Sequence, residues 1–254
     1  MNKKKVLRKL NPLFFEGIAH RGLHTQEGIP ENSMEAFHNA IKHNVAIEFD
    51  VRITKDDVPV IFHDNNLKRM TGYDGMVEHL TLEELLKLKL PNKESIPLFE
   101  DFLKDINEQV PYVLELKVEE KNYKKLSTIV RDLLKKYIKD KSNVLIISFD
   151  PRALWPFKKD GYIRSLLVSS AKEYRYVYKY RHTVESVDLD YYFFIGKGSK
   201  RYRRYVKKHF VNAWTIDNME KLSFVHPYVD TVTFQYIDVD KVREVLKFSK
   251  ELKK

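Results

Sequence analysis

Short runs of β-branched and aromatic residues recur along the chain, and each is followed by a longer stretch whose apolar positions fall three or four apart. The short runs predict strands at 16–20, 46–51, 112–117, 144–148, 163–168, 191–195, 211–215 and 231–234. The longer stretches predict helices at 33–43, 98–106, 123–138, 151–158, 171–181, 200–208, 219–225 and 239–252. The first of these helices is expected to open on Asn32, with Glu35 at capping-box spacing. Alternation of strand and helix implies a parallel sheet. Eight such units in 254 residues is the size of a closed α/β barrel, the (β/α)8 TIM architecture, read here as one domain over 1–254. An open doubly wound sheet satisfies the same strand count. Residues 64–95 fit no simple strand-to-helix loop, because they hold a helical run at 81–88 and the turn residues Gly72, Tyr73, Asp74 and Gly75. They are expected to form a small inserted subdomain at one barrel end, after the second strand.

Charges interrupt this pattern where a buried parallel strand should have none. In Ile47-Glu48-Phe49-Asp50-Val51 the two acids alternate with apolar residues, so both face one way. Two adjacent buried carboxylates repel unless a cation lies between them, and a hard divalent ion answers that need. Glu115 and Lys117 alternate in the same manner in Val113-Leu114-Glu115-Leu116-Lys117. His20-Arg21-Gly22 follows the first strand directly, and His63-Asp64 ends the apolar run 58–62. An imidazole can move a proton near neutral pH, and a guanidinium presents a fork to phosphate oxygens. Each piece also has a plain structural reading: a solvated edge strand, a surface ion pair, a loop histidine, a His–Asp turn. In a barrel, however, all four fall at the C-terminal ends of strands, where catalytic groups collect. Gly196-Lys197-Gly198-Ser199-Lys200 lacks the spacing of a nucleotide phosphate loop and reads as a flexible basic loop.

Composition narrows the chemistry further. The absence of cysteine excludes disulfides, thiolate nucleophiles and Cys-ligated zinc. Hydrophobic content of 43% is enough for a buried core, so disorder is not expected. The basic N-terminus lacks a following apolar segment and no stretch approaches membrane-spanning length, so a cytoplasmic protein is expected. Net charge is +10, and residues 197–208 carry seven lysines and arginines without an acid. Such a surface can attract nucleic acid, an anionic membrane or a phosphorylated small molecule, and charge alone does not choose among them; the expectation is a small-molecule substrate with transient contact with an anionic membrane and no nucleic acid.

The pieces together resemble the glycerophosphodiester phosphodiesterase family. The resemblance rests on Ala19-His20-Arg21-Gly22, Pro30-Glu31-Asn32-Ser33, Glu48-Phe49-Asp50-Val51, Val60-Ile61-Phe62-His63-Asp64, Leu114-Glu115-Leu116-Lys117, Ile96-Pro97-Leu98-Phe99-Glu100, Ser148-Phe149-Asp150 and Ala213-Trp214-Thr215. It implies a barrel with an insertion and hydrolysis of glycerophosphodiesters to an alcohol and glycerol 3-phosphate. By the same resemblance Glu48, Asp50 and Glu115 match metal ligands, and His20 and His63 the catalytic acid and base. Arg21, Glu31, Lys117 and Trp214 match positions near phosphate or glycerol. Oxygen-only ligands favour Mg²⁺ or Ca²⁺ over zinc. His20 is expected as base and His63 as acid. A lysophospholipase D-like activity on lipids, or a basic binding protein without activity, are the rival functions. The chain departs from the family pattern at Asn44, where glycine is usual, and at Gln235, where an Asp-containing turn is usual.

Overall fold

The computed structural model describes residues 3–170, 179–180, 183–195 and 207–251. Eight parallel strands form a closed circuit: β1 (Ile18–Ala19), β2 (Ala46–Ile53), β4 (Tyr112–Leu116), β5 (Val144–Ser148), β6 (Ile163–Val168), β7 (Ser186–Asp190), β8 (Phe210–Ile216) and β9 (Thr231–Phe234). Closure is direct, because β1 pairs in parallel with both β2 and β9. That removes the open doubly wound alternative. The ninth strand, β3 (Pro59–Ile61), runs antiparallel along the end of β2, with Val51 opposite Ile61, and leads into the insertion.

Among the described residues the helices are α1 (Lys3–Leu7), α2 (Met34–Lys42), α3 (Lys68–Thr71), α4 (Leu82–Leu86), α5 (Phe99–Ile106), α6 (Tyr123–Tyr137), α7 (Pro151–Leu154), α8 (Met219–Val225) and α9 (Val239–Glu251). Their apolar faces pack on outward-facing strand residues such as Phe49, Leu114, Ile146 and Val211, in one continuous layer. A second cluster fills the barrel, where Ile18, Ala46, Val113, Leu145, Ile163 and Phe210 meet Val6, Leu10 and Phe14. The chain before β1 thus plugs the N-terminal end of the barrel. The insertion has its own cluster of Val60, Phe62, Leu67, Val77, Leu85, Leu90 and Ile96.

Three expectations need correction. The strand expected at 191–195 lies one turn earlier, at β7, and Tyr191–Phe194 is a 3-10 turn. Asp190 causes the change: its carboxylate accepts from Tyr192 N at 2.8 Å and caps the turn. Helix α2 is capped by Ser33, whose Oγ accepts from Ala36 N at 3.0 Å, and not by Asn32. The capping box belongs instead to Thr81 and Glu84 at the start of α4. The helix at 151–158 is a short α7 followed by a 3-10 turn, Trp155–Lys158, with Pro156 inside it. The expected helices at 171–181 and 200–208, and the basic stretch 197–208, lie outside the described residues except for Lys179, Tyr180, Lys207 and Lys208, of which Lys207 and Lys208 are exposed. Asn44 has φ of +49°, a left-handed conformation that glycine adopts freely and asparagine tolerates, which accounts for that departure from the family pattern.

Candidate active site

The alternation on β2 places Glu48 and Asp50 on the inner face, and the parallel register sets Asp50 beside Glu115 of β4. All three are buried, and each offers an oxygen within 4.8 Å of the other two, a group that could hold a metal ion. The same strand face carries Arg52, also buried. Lys117 reaches back into the cluster, with Nζ 3.3 Å from Asp50 Oδ1 and 3.0 Å from Glu115 Oε1.

Just after β1 the chain must turn sharply. Arg21 has φ of +52° and Gly22 φ of +81°, and a Cβ on Gly22 would stand 2.8 Å from the Ala36 methyl. The turn is tied to β2, because Arg21 N donates to Glu48 Oε2 at 2.9 Å and Gly22 N to Glu48 O at 3.0 Å. The Arg21 guanidinium lies between Asp50, at 3.6 Å, and Glu31, at 2.8 Å. Glu31 stands one step back from the cavity and is shared with Arg69 of the insertion, which also holds Asp64. Asn32, freed from capping, donates to Asp50 Oδ2 at 2.9 Å.

The two histidines have different partners. His20 Nδ1 lies 2.6 Å from Gln235 Oε1, an oxygen that can only accept. With the amide oxygen of Gln235 turned to it, Nδ1 carries the hydrogen, and Nε2, 3.9 Å from Glu48 Oε2, keeps its lone pair. His63 Nδ1 lies 2.6 Å from the Asp64 carboxylate. The carbonyl of His63 accepts from Arg52 Nε at 3.0 Å, and Arg52 in turn pairs with Glu78 of the insertion at 2.7 Å. His20, Arg21, Glu48, His63, Glu115 and Lys117 all line one cavity of about 90 Å³, closed on one side by Trp214 against Phe149, ring centroids 5.7 Å apart. Beside it lies a broader cleft of about 630 Å³ that shares Glu115, Lys117 and Phe149 and adds Arg52 and Arg152.

Burial and crowding divide the charges. Desolvation, then repulsion from Asp50 and Glu115, pushes Glu48 well above the usual carboxylate range. Burial also lifts Glu115 to about 7, against the pull of Lys117. Burial would raise Asp50 too, but Lys117, His63 and Arg21 outweigh it and hold that carboxylate ionised. His20 is pushed down to about 3, first by burial and then by Arg21, and His63 is lowered chiefly by burial. Two acids that resist ionisation beside one that is ionised form a site that would exchange protons for a divalent ion.

The structure brings the residues expected at the site close together, with Glu31 against Arg21 rather than on the cavity wall. Missed were Arg52, Asn32 and Gln235. Arg52 could have been found, since it continues the alternation of Glu48 and Asp50 by two residues. Asn32 and Gln235 carry no period; only the closed barrel brings them to β2 and β1.

A family model described as the Glycerophosphoryl diester phosphodiesterase family matches residues 20–240. The chain is 35% identical over 159 residues to a glycerophosphodiester phosphodiesterase of Caldanaerobacter subterraneus subsp. tengcongensis, covering 56% of this chain and 61% of that protein. It is 32% identical over 153 residues to a glycerophosphodiester phosphodiesterase of Bacillus altitudinis, with the same coverage of each chain, 56% and 61%. The alignments span between 33% and 61% of the length of three of the curated relatives. Among solved structures, a phosphodiesterase from Oleispira antarctica in complex with the product sn-glycerol-3-phosphate superposes with a TM-score of 0.75 at 24% identity, covering 92% of this chain and 96% of that one.

Proposed function

Because the chain belongs to the glycerophosphoryl diester phosphodiesterase family, we propose that it hydrolyses glycerophosphodiesters to an alcohol and glycerol 3-phosphate. The observation that carries this reading is the convergence of three buried carboxylates and two differently partnered imidazoles on one cavity. Glu48, Asp50 and Glu115 would hold one divalent cation, and their all-oxygen donor set suits Mg²⁺ or Ca²⁺. When bound, such an ion supplies Lewis-acid stabilisation of charge on phosphate oxygen.

The chain's own residues account for the rest. Arg21 and Lys117 provide cationic donors for the phosphate oxygens. His20, held neutral with Nε2 bare, takes the proton from the attacking hydroxyl as the new P–O bond forms. His63, oriented by the Asp64 carboxylate at its Nδ1, is the group placed to return a proton to the departing alcohol oxygen as the old P–O bond breaks. The test is release of glycerol 3-phosphate from glycerophosphocholine, with Mg²⁺ or Ca²⁺ and then with chelator. Activity lost on chelation and restored by either ion supports the reading. No glycerol 3-phosphate with either ion from a panel of glycerophosphodiesters would sink it.

A lipid-directed form of the same chemistry is favoured by one observation. Phe149, Tyr192, Ile195 and Tyr236 stand exposed just past the C-terminal ends of β5, β7 and β9, on the face that carries the cavity. Turnover of a lysophospholipid in anionic vesicles faster than that of glycerophosphocholine would select it. No helix among the described residues is long and apolar enough to cross a membrane.

A further inference from the structure

The cavity that gathers the two histidines is too small for a whole substrate. One water takes about 30 Å³ of liquid volume. About 90 Å³ therefore holds only a few groups of that size. A second cleft, of about 620 Å³, adjoins it on the side of the insertion, and His63 and Lys117 line both. An alcohol that takes its proton from His63 has this cleft in front of it.

The lining of the cleft is uneven in charge. Arg52, Lys68, Arg69 and Lys117 stand on it against one acid, Asp64. That acid is already used twice, because His63 Nδ1 lies 2.6 Å from one of its oxygens and Arg69 Nε donates to the other at 2.6 Å. Arg52 is the deep member, with a side chain 7% exposed. Its Nε and Nη1 donate to the His63 carbonyl and to Glu78, at 3.0 and 2.7 Å. Its Nη2 has no hydrogen-bond acceptor among the described residues. Lys68 stands at the rim. Its Nζ lies 3.0 Å from Asp74, both side chains are largely exposed, and such a pair holds its lysine weakly. Among the described residues no phenylalanine, tyrosine or tryptophan lines the cleft, so it offers no ring face to a quaternary ammonium.

We propose that this cleft is a leaving-group subsite for alcohols that carry an anion of their own, a carboxylate or a phosphate, which Arg52 Nη2 and Lys68 receive. The assignment rests on the glycerophosphodiesterase reading and names the substrate class within it. The scissile phosphate stays with Arg21 and Lys117 in the smaller cavity, which leaves the spare donor of Arg52 for the far end of the alcohol. A cationic head group such as choline meets four positive side chains and an acid that is already paired. Selection then works by repulsion as well as by attraction.

The experiment compares kcat/KM within two matched pairs of diesters, each pair differing by one anion. Glycerophosphoserine is glycerophosphoethanolamine with a carboxylate added, and glycerophosphoglycerol is taken with and without a phosphate on its far hydroxyl. The natural chain should favour the anionic member by about tenfold, the effect of one charge-assisted hydrogen bond, and the pair that shows it tells carboxylate from phosphate. Arg52→Gln together with Glu78→Gln exchanges the ion pair for two amides, strands no buried charge, and should bring the preference below about threefold. Lys68→Met, on the exposed rim, should lower the preference by about two- to threefold, and it serves if the double variant does not fold. A natural-chain preference near one in both pairs, or one for ethanolamine over serine, overturns the subsite while the activity stands. A preference unchanged in the folded variants does the same. Hydrolysis of none of the diesters with Mg²⁺ or Ca²⁺ overturns the activity, and the subsite with it.

Discussion

Glu48 and Glu115 are held protonated against their nature, and this makes the site a sensor of both pH and cations. Glu115 sits at about 7 in the folded chain against an ordinary 4.5, and Glu48 is also raised. A carboxyl whose folded pKa lies above its unfolded one favours the fold at low pH and weakens it as pH climbs from the unfolded value through the folded one. Without cation, Glu115 should therefore cost stability progressively between about pH 4.5 and 7, and Glu48 adds to that cost as pH rises above the ordinary carboxylate range. A divalent ion reverses that cost only where the carboxyls can ionise. Mg²⁺ or Ca²⁺ should raise Tm clearly at pH 8 and hardly at pH 4.5, and binding at pH 7 should release protons. Calorimetry with and without chelator at the two pH values checks this; equal shifts at both would contradict it. The amide of Gln235 offers a second residue-scale test. With His20 near 3, its imidazole is already unprotonated at pH 5. Gln235→Glu puts a carboxylate behind it, raises that pKa, and should move the acid limb of the kcat/KM profile to higher pH. His20→Ala and His63→Ala should each lower kcat by roughly 10²–10⁴-fold without loss of fold.

At the scale of elements, a buried guanidinium is one of the ties between the insertion and the barrel. Arg52 leaves β2, pairs with Glu78 of the insertion and holds the His63 carbonyl. Arg52→Met should destabilise by about 3–5 kcal/mol because Glu78 is left buried and alone, whereas Arg52→Met with Glu78→Leu should recover most of the loss. Denaturant melts of the single and double variants decide it, and a double variant no better than the single would refute the pairing. Elements with an apolar period were legible in the sequence: β5, β6, β9 and α8 lie where expected. β7 was not, because Ser186, Asp188 and Asp190 give it a polar inner face and the aromatic run after it mimics a strand. The candidate site was legible for a related reason. Its acids interrupt apolar strands, so their alternation shows before any fold is known. The support behind them, Gln235 to His20 and Asn32 to Asp50, joins residues far apart in the chain and appears only on closure.

For the whole molecule, the decisive feature is a barrel shut at one end and open at the other. The shut end is packed by Val6, Leu10 and Phe14, remote from the carboxylates. Leu10→Ala should cost about 2–5 kcal/mol of stability and leave kcat unchanged below the melting range. A matching fall in kcat would show that the plug and the site are coupled.

That plug also sets an order of events during synthesis. The segment around Val6 to Phe14 leaves the ribosome before any of its partners, yet it packs on Phe210, and Lys3 pairs with Asp230 at 2.7 Å. Its apolar side chains are fully covered only once β8 and β9 have been made, some two hundred residues later. At about 5–20 residues per second that is a wait of roughly 10–40 s with sticky groups incompletely covered. A chain stalled before residue 210 leaves that cover incomplete, and that is the species a chaperone would meet.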